Sequence, residues 1–265
     1  EVAIFEGEAD VSQALLALPF DHIFFTGSPM IGKYVMGAAA KNLSSVTLEL
    51  GGKSPTIIDE SADLELAATN VMWAKFSNAG QTCIAPDYVL VHESVKEAWV
   101  ACCRNQLNKA FGSTLAEQKA SPHLAHIVNA RHTSRIKALL DDANAHGARA
   151  LTGGGISEDD CFIQPTLLDQ VADKSRIMEE EIFGPLLPVL GYRDIGEVIA
   201  RINEGQKPRA LYIYSRNNAN IDRVLTHTVS GGACVNHALM QFMHGNLPFG
   251  GINNSGIGNA HGHYG

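Results

Sequence analysis

The chain has 265 residues, 45% of them apolar and 18% charged, with a formal net charge of −8 and a pI of about 5.7. That length buries enough surface for one large domain or two smaller ones. The acidic balance comes with no basic stripe and no apolar run of membrane-spanning length, which argues against nucleic acid and membrane as partners.

Residues 1–20 mix acids with Val11, Leu15, Leu16 and Leu18, a pattern that predicts one helix ending near Pro19. The start, Glu1-Val2-Ala3, carries neither an initiator Met nor a signal peptide, and the expectation is a chain that begins within a longer protein. His22 to Thr26 reads as a short buried strand. The turn Gly27-Ser28-Pro29-Met30-Ile31-Gly32-Lys33 follows, then a helical pattern through Tyr34 to Lys41. Strand, glycine turn and helix in that order can cradle a phosphate at the helix N-terminus. The spacing is not the usual dinucleotide fingerprint, and taken alone it reads as an ordinary βα turn.

Val46 to Leu50 is a second strand that ends in Gly51-Gly52. Glu49 is an acid in an apolar strand. It is either an edge residue facing solvent or a carboxylate pointing into a cleft with a raised pKa. The third strand, Pro55 to Asp59, leads to Asp63, which can cap a helix running to Ser77. That helix delivers the chain to Phe76-Ser77-Asn78-Ala79-Gly80-Gln81-Thr82-Cys83-Ile84-Ala85-Pro86. Ala79 and Gly80 leave room beside the thiol, and Pro86 cannot continue a helix. Cys83 therefore sits on a turn between two elements, where reactive groups are often displayed. A core cysteine would sit in an apolar periodic run, and Cys83 does not.

Tyr88 to His92 is a strand, and Ser94 with Glu97 has capping-box spacing for the next helix. Its apolar face takes in Val95, Ala98, Trp99, Cys102, Ala110 and Phe111, which makes Cys102 core and gives Cys103 the same inert role. His123 and His126 fall three apart on a predicted helix, with His132 beyond. No H-E-x-x-H pattern accompanies them, so no metal site is expected. The five cysteines, Cys83, Cys102, Cys103, Cys161 and Cys234, are odd in number and irregular in spacing. That argues against a disulfide framework and for a reducing, cytoplasmic setting.

Phe162 to Leu168 resumes strand character. The run Glu179-Glu180-Glu181-Ile182-Phe183-Gly184-Pro185 then takes three acids straight into an aromatic and a Gly-Pro turn, which is unusual for a plain surface loop. Strands over 187–192, 210–214 and 232–236 alternate with helices over 195–202 and 221–229. The alternation predicts an α/β fold with a parallel sheet. Ala238 to Met243 is apolar without a period. It is either core packing or the wall of a tunnel for an apolar substrate. The tail from Pro248 to Gly265 has no core pattern of its own.

These stretches together resemble the aldehyde dehydrogenase superfamily. They are Phe25-Thr26-Gly27-Ser28 with Gly32, Leu48-Glu49-Leu50-Gly51-Gly52-Lys53, Asn78 to Cys83, Glu181 to Pro185, and Pro248-Phe249-Gly250-Gly251. They occur in the family's order and cover essentially the whole chain. The continuation Cys83-Ile84-Ala85-Pro86-Asp87-Tyr88 is similar to the branch acting on fatty and aromatic aldehydes. The ending from Asn253 is most similar to coniferyl aldehyde dehydrogenases. The resemblance implies a parallel-sheet catalytic domain with a partial Rossmann-type cofactor domain. Residues 1–50 would belong to the dinucleotide-binding part, 51–252 to the catalytic domain and 253–265 to a tail near the cofactor or oligomerisation region.

The resemblance also implies roles. Cys83 would be the nucleophile and Glu49 the general base. Gly27, Ser28, Gly32, Leu50, Gly51, Glu181 and Phe183 would line the site for NAD or NADP, with Ser28 at the pyrophosphate, Glu181 on the nicotinamide ribose and Phe183 near the ring. The substrate would be a small apolar or aromatic aldehyde and the protein a homodimer. Two family segments find no match, one with the oxyanion-hole asparagine and one with a ribose-binding lysine. The alternatives are an acylating dehydrogenase using coenzyme A, a cysteine hydrolase, or a non-catalytic fragment. Glu49 weighs against the first, and no histidine motif supports the second.

Overall fold

The computed structural model describes residues 2–265. Its first half runs α1 (Ala9–Leu16), β1 (His22–Gly27), α2 (Pro29–Ala39), β2 (Ser45–Leu50), β3 (Pro55–Ile58), α3 (Leu64–Phe76), β4 (Tyr88–His92), α4 (Lys96–Phe111), α5 (Leu115–Ala120) and α6 (Ala130–Ala145). The second half runs β5 (Arg149–Thr152), β6 (Ile156–Ser157), β7 (Phe162–Ile163), β8 (Thr166–Asp169), α7 (Arg176–Glu179), β9 (Leu186–Tyr192), α8 (Ile195–Glu204), β10 (Ala210–Tyr214), α9 (Asn218–His227), β11 (Gly232–Val235), α10 (Met240–Met243), β12 (Phe249–Gly250), β13 (Gly256–Ile257) and β14 (Asn259–Ala260).

The principal sheet has seven strands in the order β11-β10-β3-β4-β9-β8-β5. Every neighbouring pair is parallel except β5 with β8, which closes one edge antiparallel. Side chains alternate across a strand, and the two faces are filled accordingly. Ile58, Val89, Val91, Tyr212 and Tyr214 pack on one face with Val71, Trp99, Cys103 and Leu107 of α3 and α4. Ile57, Leu90, Leu211 and Ile213 pack on the other with Val198, Ile202, Ile221 and Val224 of α8 and α9. Both faces are covered, which is why these strands read as continuous apolar runs.

A second, three-stranded sheet has the order β1-β2-β13. β1 and β2 are parallel, and β13 adds antiparallel to β2. The tail therefore does have an element: Gly256 and Ile257 pair opposite Glu49 and Leu48. β2 is consequently a central strand and Glu49 is not on an edge.

Several local expectations need correction. α2 begins at Pro29, not Tyr34, because Ser28 caps it and proline suits the first helical turn. Ser94 caps nothing. It lies in a 3₁₀ turn over Glu93–Val95, and His92 accepts from the Ser94 N–H instead. α4 buries the 99-103-107 stripe, so Cys103 is core, while Cys102 is half-buried and its thiol donates to Glu65 at 3.3 Å. His123 and His126 lie in the loop between α5 and α6, and only His132 is helical. The stretch Phe162 to Leu168 is broken at Gln164-Pro165 into β7 and β8, and Met240–Met243 is a single helical turn. Asp63 does cap α3, accepting from the Leu66 N–H at 3.2 Å.

The parallel strands bring their amino ends to one edge of the principal sheet. The segments that enter β3, β4, β9 and β10 meet there, namely Gly51 to Ser54, Cys83 to Asp87, Glu181 to Pro185, and Arg209. β2 ends at Leu50 and hands the chain straight to this edge. Three hydrogen bonds tie the edge together through Ser54 and Tyr212. The Asp87 N–H donates to the Ser54 carbonyl (2.8 Å), the Ala210 N–H to the Ser54 hydroxyl (3.1 Å), and the Tyr212 hydroxyl to the Ile84 carbonyl (2.7 Å).

The core on the α3–α4 face is centred on Trp99, which is fully buried. Trp99→Ala is expected to lower unfolding stability by about 3–5 kcal/mol, measured by urea denaturation. A loss under about 1 kcal/mol would mean that the side chain does not fill that core.

Candidate active site

Cys83 sits on a strained turn. After α3 the chain passes through three residues at positive φ: Asn78 (53°), Ala79 (52°) and Gly80 (73°). A non-glycine residue in that region costs roughly 1–2 kcal/mol, so neighbouring contacts must hold it there. They do. The Asn78 side chain donates to the Gln81 carbonyl (3.0 Å), and Gln81 donates to the carbonyls of Asn78 (3.0 Å) and His126 (3.1 Å). The Gln81 side-chain oxygen accepts from the Val128 N–H at 3.0 Å. Gly80 has a further reason to be glycine, because a Cβ there would strike the Gly184 carbonyl. The room it provides thus faces the Glu181–Pro185 segment. The Cys83 N–H has no acceptor from another residue among those described.

The Glu181–Pro185 segment is fixed by charges around it. Asp87, buried, forms an ion pair with Lys53 and accepts from the Ile182 N–H at 2.9 Å. Lys53 also donates to the carbonyls of Ile177 (2.7 Å) and Glu180 (3.0 Å). Arg135 of α6 donates to the carbonyls of Glu181 (3.2 Å) and Ile182 (2.6 Å). Phe183 takes a positive φ of 44°, and its ring is exposed. The Glu181 carboxyl lies against Gly51, where a Cβ would meet it. Gly51 thus leaves the space that the Glu181 carboxyl occupies. Asn78, Gln81, His126, Val128 and Phe183 line a cleft of about 420 Å³ between the two segments. A second cavity of about 290 Å³, beneath α8, shares no residue with them.

The electrostatics bear on the thiol directly. Burial pushes the Cys83 thiol up to about 11, and the Glu181 charge adds to the rise, against a small opposing effect from its own backbone N–H. Burial, followed by Asp87, pushes Glu181 up to about 7, opposed by the Gly52 N–H, Lys53 and Arg135. Lys75, wholly buried on α3, is pulled down by desolvation to about 8. In this arrangement Cys83 is a thiol at neutral pH, and Glu181 titrates near neutrality beside it.

Glu49 faces neither solvent nor an open cleft. It is 7% exposed, and one carboxylate oxygen is ion-paired with Arg209, which is fully buried. It therefore sits against a buried guanidinium, neither at a solvent edge nor in an open cleft. At the same carboxyl end of the small sheet, where Thr26 of β1 pairs opposite Glu49, Ser28 accepts from the Ile31 N–H at 3.4 Å and leaves the first turn of α2 exposed. Gly32 is buried, and a Cβ there would meet the Leu50 side chain at 2.7 Å. Gly32 and Leu50 thus set how closely α2 packs on β2. An exposed helix N-terminus suits a pyrophosphate. A carboxyl that titrates near neutrality, as Glu181 does, can both accept from and donate to a ribose diol. The residues present therefore fit a dinucleotide. Among those described, no three His, Cys, Asp or Glu could hold a metal ion.

The expected residues divide into two groups. Cys83, Gly51, Glu181 and Phe183 meet at the sheet edge; Gly27, Ser28 and Gly32 lie at the head of α2; and β2 carries Glu49 and Leu50 between the groups. Sequence reading assigned no role to Lys53, Asp87, Lys75, Arg135 or Arg209. Lys53 and Asp87 were signalled, because each places a charge beside glycine or proline within a motif stretch. Lys75, Arg135 and Arg209 carry no local signal.

The profile of the aldehyde dehydrogenase family matches residues 2–265. AldX of Bacillus subtilis (strain 168), provisionally named an aldehyde dehydrogenase, is 50% identical over 268 residues, covering 100% of this chain and 59% of that protein. A "Probable coniferyl aldehyde dehydrogenase" of Caulobacter vibrioides is 44% identical over 270 residues, covering 100% of this chain and 55% of that protein. The chain thus spans little more than half the length of these curated relatives. The substrate-bound structure of Staphylococcus aureus AldH superposes with a TM-score of 0.93 at 44% identity, covering 98% of this chain and 56% of that one. A betaine aldehyde dehydrogenase of the same organism, solved with NAD+, superposes with a TM-score of 0.85 at 30% identity, covering 96% of this chain and 52% of that one.

The proximity of Glu181 to Cys83 has a measurable consequence. Glu181→Gln removes one of the two causes that keep the thiol protonated. Alkylation of Cys83 by iodoacetamide at pH 8, followed by peptide mapping, should become about threefold faster or more. Glu181 is charged only above about 7, so variant and wild type should converge as the pH falls below that value. Equal rates at pH 8 would contradict the coupling.

Proposed function

The chain belongs to the aldehyde dehydrogenase family, and from that premise we propose that the full-length protein oxidises an apolar or aromatic aldehyde to its acid. The observation that carries this reading is Cys83 itself. It is half-buried on a strained turn against Glu181, with its N–H unclaimed by any other described residue.

In this mechanism the Cys83 thiol gives up its proton to solvent, the thiolate sulfur bonds to the aldehyde carbon, and the carbonyl π pair moves to the oxygen. The Cys83 N–H donates to the developing oxyanion, a contact typically worth about 3–4 kcal/mol. Neutralising Glu181 removes one cause of the raised thiol pKa and favours the nucleophilic thiolate. Ser28, Gly27 and the head of α2 would hold the pyrophosphate of NAD or NADP, with Glu181 on the nicotinamide ribose and Phe183 near the ring. That group, when bound, supplies the hydride acceptor that turns the thiohemiacetal into a thioester. Hydrolysis completes the cycle. Glu49 takes a proton from water, the water oxygen bonds to the acyl carbon, the carbon–sulfur bond breaks, and the acid leaves with Cys83 as thiolate.

The substrate class rests on the surface around α10. Met240, Phe242 and Met243 are exposed, and Phe242 packs edge-on to Phe249 at 5.0 Å. A half-solvated aromatic and thioether surface suits an apolar chain or ring better than a charged one. The five cysteines are all free thiols, which supports a reducing compartment such as the cytoplasm.

In the full-length protein Cys83→Ser should abolish aldehyde-dependent cofactor reduction while the fold persists. Glu49→Gln should keep a pre-steady-state burst and slow the turnover that follows. An aromatic aldehyde should exceed acetaldehyde in kcat/KM by about tenfold or more. Retained turnover in Cys83→Ser would refute the nucleophile, and loss of the burst in Glu49→Gln would refute the base.

A further inference from the structure

Arg209 is the unusual group at this site. It stands at the amino end of β10, fully buried, and it is the ion-pair partner of Glu49. Its Nη2 donates to Glu49 Oε2, its Nη1 donates to the Ser255 carbonyl at 3.2 Å, and its guanidinium lies 4.2 Å from the centre of the Phe249 ring. Two buried atoms of the pair have no partner among the described residues, Glu49 Oε1 and Arg209 Nε. Nε–H and Nη2 share one edge of a guanidinium, the edge that can grip both oxygens of a carboxylate. Here only half of that grip is made.

We propose that Arg209 is a latch on Glu49, a positioning residue that holds the carboxylate out of use until the pair opens for thioester hydrolysis. This rests on the reading of Glu49 as the base. A carboxylate in contact with a guanidinium is a poor proton acceptor, because the charge that would take the proton is already stabilised. The closed pair leaves a buried donor and a buried acceptor unmet, an unfavourable state for both. A permanent structural bridge would complete the second bond. The partners are also unequal. Arg209 keeps the Ser255 carbonyl and the Phe249 face when the pair opens, whereas the Glu49 side chain has no other described partner. Glu49 is therefore the side that moves.

The test reads hydrolysis without the redox step. In the full-length protein Cys83 is acylated with p-nitrophenyl acetate, excess ester is removed, and loss of the acetyl mass is followed over time. Arg209→Gln, which keeps a hydrogen-bonding group but no charge, should speed deacylation by about tenfold, given that an adjacent cation shifts a carboxylate by about one to three pK units. Arg209→Lys, which keeps the cation, should stay near wild type. Adding Glu49→Gln to Arg209→Gln should erase the gain. Arg209→Met, matched in length, replaces the glutamine variant if that one does not fold. Unchanged or slower deacylation in the folded charge-neutral variants, with Glu49→Gln alone slow, would overturn the latch and leave the base in place. Deacylation unaffected by Glu49→Gln alone would overturn the base reading and the latch with it.

Discussion

The ion pair between Lys53 and Asp87 holds the site together. Lys53 follows the glycines at the end of β2, Asp87 follows the Cys83 turn, and both bind the segment that carries Glu181. Three stretches distant in sequence thus share one charge pair. Asp87 is buried and Lys53 nearly so. A pair of that kind gives little net stability against an apolar substitute, but loss of one partner leaves an uncompensated charge. Its value lies in specifying position. Asp87 cannot accept from the Ile182 N–H unless the Cys83 and Glu181 segments lie side by side.

Parallel α/β sheets commonly bind ligands at the carboxyl ends of their strands. Here Cys83 and Glu181 lie at the amino edge of the principal sheet, while the small sheet presents the carboxyl ends of β1 and β2 to that edge. One surface therefore has two halves, a βα turn at Gly27-Ser28 and a thiol turn at Cys83. Strain is concentrated on the second half. Asn78, Ala79 and Phe183 all take positive φ on facing segments, and cross-links through Gln81, Asp87, Lys53 and Arg135 offset that cost. The same burial that fixes the turn keeps Cys83 protonated and brings Glu181 close to neutral pH. Rigidity and reactivity are set against each other here, and the titration of Glu181 links them.

Most of the fold was legible in the sequence because buried parallel strands leave apolar runs that only a strand can use at that length. β3, β4, β9 and β10 fall where such runs lie, whereas β1, expected to be a buried strand, forms an edge with no buried residue and leaves Phe24 55% exposed. Helix phase was harder to read. The expected cap at Ser94 is absent, and of the two cysteines expected to be core only Cys103 is fully buried. The turn at Cys83 was legible from its small residues and proline, although Gly80 makes room for Gly184 rather than for the thiol. Arg209 was not legible. A basic residue between proline and an apolar strand reads as a solvated flank, and its partner lies 160 residues earlier. Lys75 and Arg135 escaped notice for the same reason, since burial of a charge is a property of the assembled fold.

On the proposed mechanism, these segments form one reacting centre at Cys83. Acid-quenched mass spectrometry of the full-length protein, mixed with an aromatic aldehyde and NAD or NADP, reads this most directly. The predicted result is an acyl mass on the peptide that contains Cys83, appearing with the first turnover and decaying as acid accumulates. Acid formed with no acyl mass at Cys83, or with the mass on another residue, would contradict the account.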